Sequence, residues 1–294
     1  MANGVSLANQ KLMLEDGTEL CFYDSEALKW QAGAAGSDPD TDTDTDTGSS
    51  SSVLVLLHGY CGSSAYWEEV APMLTQQSRL IIPDLRGHGL SSASDDLEAA
   101  MEVYADDLYA ILVHLGLDKI CLLGHSLGGY IALSFAERHS DRLTAFGLVH
   151  STALADSEAA KDNRDNTINL IKQGKLKQVI DGMSQKLFAP DNLVKLPDKV
   201  ARVKAIGYQT GGAGAIAAAA GMKARPDRTS LLREAKLPVL LLAGEEDQIV
   251  PPERTLLWDG PSITQVLLKD AGHMSMVEQP EACAKAIRSF IASL

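Results

Sequence analysis

A serine stands in Gly124-His125-Ser126-Leu127-Gly128-Gly129, with glycine two positions away on each side. An apolar run, Ile120–Leu123, precedes this segment, and a helical pattern from Gly129 to His139 follows it. G-x-S-x-G between a strand and a helix presents the serine hydroxyl on a strained turn above the end of a sheet. Gly124 and Gly128 remove side chains that would collide across that turn. The Leu127 N–H, at the start of the helix, points to where an oxyanion would develop. A glycine-bounded turn with an incidental serine has the same letters. The buried strand before it and the helix after it favour a nucleophile.

A serine hydroxyl near neutral pH needs a base. The chain has seven histidines. His58 and His125 belong to local motifs, and His88 follows Gly87 in a loop. His114 and His139 fall on helical patterns and are expected at the surface, while His150 ends a strand. His273 lies in Asp270-Ala271-Gly272-His273-Met274, past the last apolar run and before the final helix. Loops there project from the carboxyl ends of strands, where open α/β sheets bind ligands. Most lone loop histidines are merely solvated, but a nucleophile in need of a base favours this one.

An acid that fixes the imidazole tautomer is expected between nucleophile and base in chain order. Asp247 ends Leu240-Leu241-Leu242-Ala243-Gly244-Glu245-Glu246-Asp247 and is preferred. Glu245 and Glu246 compete for the role, and Asp156 is a more distant candidate. A second oxyanion donor is expected in His58-Gly59-Tyr60-Cys61-Gly62, after the first core strand. It is assigned to the Tyr60 N–H, with Cys61 second. No elbow presents Cys61 as a nucleophile.

The elements that would position these residues read as follows. Lys11–Leu14 and Glu19–Asp24 flank an Asp16-Gly17 turn and form a hairpin. Short apolar runs follow at Val53–Leu57, Arg79–Ile82, Ile120–Leu123, Ala145–Val149, Val239–Leu242 and Val266–Leu268. Several lack alternation, as strands covered on both faces do. Helical patterns lie between them at Ala65–Thr75, Met101–Leu115, Gly129–His139 and Glu281–Leu294. Strand–helix repetition implies a mostly parallel sheet. Residues 154–226 contain no strand-like run. They read as helices Asp156–Gln173, Leu176–Phe188, Leu193–Ile206 and Ala213–Ala224, a helical cap inserted between core segments 1–153 and 227–294. Gly211–Ala217 superficially resembles a dinucleotide fingerprint, but no strand precedes it. An alanine-rich helix start is the better reading, so no cofactor is expected.

Composition sets outer bounds. The 294 residues are 45% hydrophobic and 22% charged, proportions of a globular protein large enough for a sizeable core. The net charge of -13 argues against nucleic acid and anionic membranes as partners. Five of those charges, Asp38, Asp40, Asp42, Asp44 and Asp46, sit in a Thr/Asp/Ser-rich stretch at about 33–52, which is expected to be a mobile loop. Its alternating carboxylates lack the ligand order of a calcium loop. The four cysteines, Cys21, Cys61, Cys121 and Cys283, form no C-x-x-C pair, which disfavours a structural zinc site. There is no signal-peptide pattern and no span-length apolar run. The expected address is the cytoplasm, as a monomer or homodimer acting on a small molecule.

At these residues the chain resembles the α/β-hydrolase superfamily. HGYCGSS at 58–64, DLRGHGLSS at 84–92, GHSLGG at 124–129, GEEDQIVPP at 244–252 and AGHMSMVEQP at 271–280 carry the resemblance in order. It covers about residues 53–153 and 227–294, plus the hairpin. Small bacterial carboxylesterases and enol-lactonase-like members look most similar, and Met222–Asp227 also resembles that group. The resemblance implies an eight-stranded, mostly parallel sheet flanked by helices. It also implies Ser126, Asp247 and His273 as triad and Tyr60 and Leu127 as oxyanion donors, with no metal. Asp84 and Arg86 match a structural loop motif of the family. The implied activity is hydrolysis of short carboxylic esters. The alternatives are lactone, thioester or carbon–carbon hydrolysis on the same fold, or a non-catalytic ligand sensor.

Overall fold

The unalternating apolar runs become strands with a core on each face. In β3 (Ser52–Leu57), Val55 and Leu57 pack into one core, and Leu54 and Leu56 into the other. The same division holds for Ile120 and Leu122 against Cys121 and Leu123 in β5 (Ile120–His125). It recurs for Val239 and Leu241 against Leu240 and Leu242 in β7 (Val239–Gly244). A strand covered on both sides has no solvent face on which to alternate polar residues.

The computed structural model describes residues 4–27, 52–93 and 100–294. Its sheet has eight strands. The others are β1 (Gln10–Met13), β2 (Glu19–Asp24), β4 (Ser78–Pro83), β6 (Leu143–Val149) and β8 (Ile263–Leu268). Their spatial order is β1-β2-β4-β3-β5-β6-β7-β8. The β1–β2 and β2–β4 pairs are antiparallel, and all others are parallel. The carboxyl ends of β3, β5, β6, β7 and β8 therefore lie along one rim. The expected acidic loop at about 33–52 lies outside the described residues, apart from Ser52, which opens β3.

Helices α1 (Ala71–Leu74), α2 (Met101–His114) and α3 (Leu127–Arg138) connect the first strands. Between β6 and β7 run α4 (Glu158–Lys172), α5 (Leu176–Leu187), α6 (Pro190–Lys195), α7 (Pro197–Gly207), α8 (Gly212–Ala224) and the short α9 (Thr229–Arg233). Then come α10 (Pro252–Thr255), α11 (Ser275–Glu278) and α12 (Pro280–Ile291). The apolar stripes of α2 and α3 cover one sheet face, and that of α12 covers the other. None of the described helices is long and apolar enough to cross a membrane.

Two expected helices are divided by proline. The pattern Ala65–Thr75 resolves into a 3-10 turn at Ser64–Trp67, capped by the Ser63 hydroxyl, and then α1. Pro72 has no N–H to offer the preceding turn and sits instead in the first turn of α1. Leu193–Ile206 likewise splits into α6 and α7 at Leu196, before Pro197. Helix α3 begins two residues earlier than the pattern suggested, directly after Ser126.

Asp84 and Arg86 stitch loops together. Asp84 accepts from the Ser64 N–H at 2.7 Å and the Leu90 N–H at 2.9 Å. Arg86 donates to Asp107 at 2.8 Å through Nε and to Asp16 at 2.7 Å through Nη1. His58 is fully buried and accepts the Leu85 N–H at Nε2, 2.9 Å away, so protonation there would break that bond. Burial, with neighbouring His88, pushes the His58 imidazole down to about 3; burial pushes His88 down to about 4. Free imidazoles titrate near 6.5, so between about pH 6.5 and 4 the unfolded chain binds protons that the folded chain refuses. Stability must fall as pH falls through that window. Denaturation at pH 7 and 4.5 should differ by on the order of 2 kcal/mol or more, with the acid sample weaker, and His58→Gln should flatten the slope.

Candidate active site

Ser126 sits between β5 and α3 with φ 51° and ψ -112°, a strained backbone for a residue with a side chain. Its N–H donates to the Val149 carbonyl at 3.0 Å, and its carbonyl accepts from the Gly129 N–H at 2.9 Å and the Ser151 hydroxyl at 2.7 Å. The turn is so tight that a Cβ on Gly124 would lie 2.0 Å from the Gly128 carbonyl oxygen. The loop after β3 presses on the same turn. A Cβ on Gly59 would stand 2.6 Å from His125 Nδ1 and 3.3 Å from the Ser126 Cβ. Among the described residues, no acceptor meets the backbone N–H of Leu127, Tyr60 or Cys61. Unmatched buried N–H groups are rare. Leu127 follows Ser126 directly, and Tyr60 follows Gly59, which faces the serine.

Asp247 follows β7 by a short turn, and its side chain is fully shielded from solvent. Its Oδ1 accepts from the N–H groups of Ile249 at 2.8 Å and Val250 at 2.9 Å. Its Oδ2 lies 2.7 Å from His273 Nδ1. Burial alone would raise this carboxyl, but His273 and His150 outweigh it and hold the group well below the ordinary carboxylate range. Glu245 is exposed and Glu246 half-buried, and Asp247 is the acid of this run that meets His273. Asp156 lines the same cavity as Ser126 but pairs with Arg225 at 2.8 Å and Arg164 at 3.2 Å rather than with His273.

His273 is anchored through its backbone from both sides. Its N–H donates to the Leu187 carbonyl of α5 at 2.9 Å, and its carbonyl accepts from His125 Nε2 at 2.9 Å. With Nδ1 donating to Asp247, Nε2 is left as the basic nitrogen. Ser126 and His273 line one cavity of about 140 Å³, together with Tyr60, Tyr130, Met183 and Leu187. No hydrogen bond joins the Ser126 hydroxyl to the imidazole in this state.

The sequence reading treated His150 only as a strand end, yet it belongs to this cluster. It has φ 50° and is completely buried. Its Nδ1 lies 3.3 Å from Asp247 Oδ2, out of line for a full hydrogen bond, and its Nε2 is 2.6 Å from the Ser275 hydroxyl. The Ser275 N–H also points at Nε2 from 3.4 Å, which leaves the ring proton on Nδ1, facing the carboxylate. Burial lowers the His150 pKa despite Asp247, so it acts as a neutral dipole. His150, Asp247 and His273 offer donor atoms within 4.8 Å of one another, a spacing a metal could use. The contact between His273 Nδ1 and Asp247 Oδ2 already uses two of those three residues in a hydrogen bond.

The family model described as alpha/beta hydrolase fold matches residues 52–280. The chain is a member of the alpha/beta hydrolase family. Its structure superposes on a thermophilic esterase from Thermogutta terrifontis with TM-score 0.83 and 31% identity, over 97% of this chain and 98% of that one. It is 28% identical over 256 residues to the pimeloyl-[acyl-carrier protein] methyl ester esterase of Aeromonas hydrophila, covering 81% of this chain and 94% of that protein. The enol-lactonase of Burkholderia xenovorans shares the fold, with TM-score 0.80 and 20% identity over 96% of this chain and 100% of that one. This alpha/beta hydrolase is therefore a hydrolytic enzyme of the family that the motifs resembled.

The crowding at Gly124 gives a direct test. Gly124→Ala should lower stability by about 3 kcal/mol or abolish folding. Gly182, in α5 with open space where a Cβ would go, is the contrasting site. Gly182→Ala should raise stability by roughly 0.5–1 kcal/mol. Thermal denaturation of the two variants checks both signs.

Proposed function

We propose that this alpha/beta hydrolase cleaves short carboxylic esters through an acyl-enzyme on Ser126. The observation that carries the reading is the buried 2.7 Å contact between His273 Nδ1 and Asp247 Oδ2, with His273 lining the same cavity as Ser126. Asp247 holds the imidazole with its basic nitrogen free. His273 Nε2 takes the hydroxyl proton as Ser126 Oγ attacks the ester carbonyl. Nucleophile–base hydrogen bonds are often loose without substrate and tighten in the complex, so the open Ser126–His273 geometry is compatible with this role.

Forming the tetrahedral intermediate needs donors for the oxygen anion. The N–H groups of Leu127 and Tyr60, both without an acceptor among the described residues, fit that need. His273 then returns its proton to the leaving alcohol. Water, deprotonated by the same imidazole, releases the acid and restores the serine. The chemistry requires no metal or organic cofactor. Helices within 154–226 act as a cap: Ala160, Met183, Leu187 and Met222 wall the cavity from above the sheet rim. A cavity of about 140 Å³ is small beside the several hundred Å³ of drug-sized sites, which favours short acyl and alcohol groups. The cytoplasm remains the proposed address.

Ser126→Ala should abolish ester turnover while leaving the fold intact. Asp247→Asn should lower kcat by roughly 10⁴-fold, because an asparagine cannot enforce the same tautomer. Butyrate esters should be cleaved faster than laurate esters in steady-state assays. Turnover of lactones or thioesters with none of simple esters would move the enzyme to a sister reaction. A tenfold loss in Asp247→Asn would assign the orienting role to another acid.

A further inference from the structure

The cavity beside Ser126 differs in charge from the molecule that contains it. The chain carries a net charge of -13, yet among the described residues three arginines, Arg164, Arg225 and Arg254, line this cavity against a single carboxylate, Asp156. Asp247 lies behind the wall, where imidazoles and backbone N–H groups satisfy it.

The three guanidinium groups are not equivalent. Arg225 is held in the wall by its terminal nitrogens, although its Nε, like that of Arg254, is buried without a partner. It pairs with Asp156 at 2.8 Å, donates to the carbonyls of Met222 at 2.6 Å and Leu154 at 3.1 Å, and lies 3.7 Å from the centre of the Tyr130 ring. Arg164 meets Asp156 through Nε alone, at 3.2 Å. Arg254, on α10 just beyond the Asp247 loop, has no ion pair or side-chain hydrogen bond with any described residue, and its Nε is buried without a partner. Removing a guanidinium nitrogen from water without an acceptor is unfavourable. Such a group in a substrate cavity is poised to regain a partner when a ligand enters.

We propose that Arg254 is a specificity residue that binds a carboxylate on the substrate, so that the enzyme acts on anionic esters: hemiesters of short dicarboxylic acids, or esters whose alcohol part bears a carboxylate. The proposal rests on the esterase reading above and narrows it to a substrate class. A planar guanidinium matches a carboxylate in a two-point contact, and the surplus positive charge from Arg164 favours the same sign of ligand. The carboxylate meets the part of the Arg254 guanidinium that lines the cavity, a group paired with no described residue, while the ester carbonyl lies at Ser126. The small cavity keeps the two groups of the substrate only a few bonds apart.

The test compares isosteric pairs in which a carboxylate replaces an isopropyl group. Monoethyl succinate is set against ethyl 4-methylpentanoate, and O-acetylglycolate against isobutyl acetate, in the wild type and in Arg254→Gln. For at least one pair, the wild type should prefer the anion by about tenfold or more in kcat/KM. Arg254→Gln should erase most of that preference. A ratio taken within one variant does not depend on its folded fraction. Equal rates, or faster cleavage of the neutral esters, would overturn the proposal, and so would a preference that survives in Arg254→Gln. Cleavage of neither pair would count against the esterase reading itself. Calorimetry with succinate then judges the subsite separately: binding to the wild type that is lost in Arg254→Gln supports it, and absence of binding removes it. Inhibition by inorganic phosphate but not by succinate would also reject the carboxylate.

Discussion

A carboxylate kept charged in a fully shielded position governs the architecture of this site. Asp247 has no water to solvate it, and an uncompensated charge there would be strongly unfavourable. Four groups remove that penalty: two backbone N–H groups on Oδ1, and the rings of His273 and His150 on Oδ2. They come from three different constraints of the fold. The N–H groups belong to the loop that leaves β7, His150 ends β6, and His273 follows β8. The parallel register of these three strands brings their carboxyl ends to one rim.

From that anchor the remaining geometry follows. His273 is fixed as a donor at Nδ1, and its backbone is clamped between His125 and the carbonyl of Leu187. The second clamp comes from the helices between β6 and β7, so the position of His273 depends on those helices as well as on the sheet. His125 sits next to the serine and donates to His273, which couples the elbow to the base through the backbone rather than through the reacting side chains. His150 adds a second N–H dipole toward the carboxylate without adding charge. Asp247 thereby keeps its negative charge while His273 remains its best-aligned imidazole partner.

The parts that were legible in the sequence are those with short-range causes. The strained turn at Ser126 needs glycine within a few residues, and β5 and α3 flank it directly, so both motif and context lie in one stretch of chain. Asp247 and His273 follow their strands closely enough for strand ends to locate them. The breaks before Pro197 and around Pro72 were also written locally, but apolar periodicity ran through them and masked the missing N–H. His150 and Arg254 were not legible. The first matters only because strand pairing sets it against Asp247. The second stands out because its guanidinium pairs with no described residue, a property of the assembled cavity that no spacing encodes.

In the proposed mechanism Asp247 and His273 make Ser126 a nucleophile. Labelling with a fluorophosphonate, followed by intact-mass and peptide mapping, tests it most directly. The account predicts one adduct per chain, located on Ser126 and lost in His273→Ala although that variant remains folded. Absence of an adduct on the folded wild-type protein, or an adduct on a different residue, would contradict it.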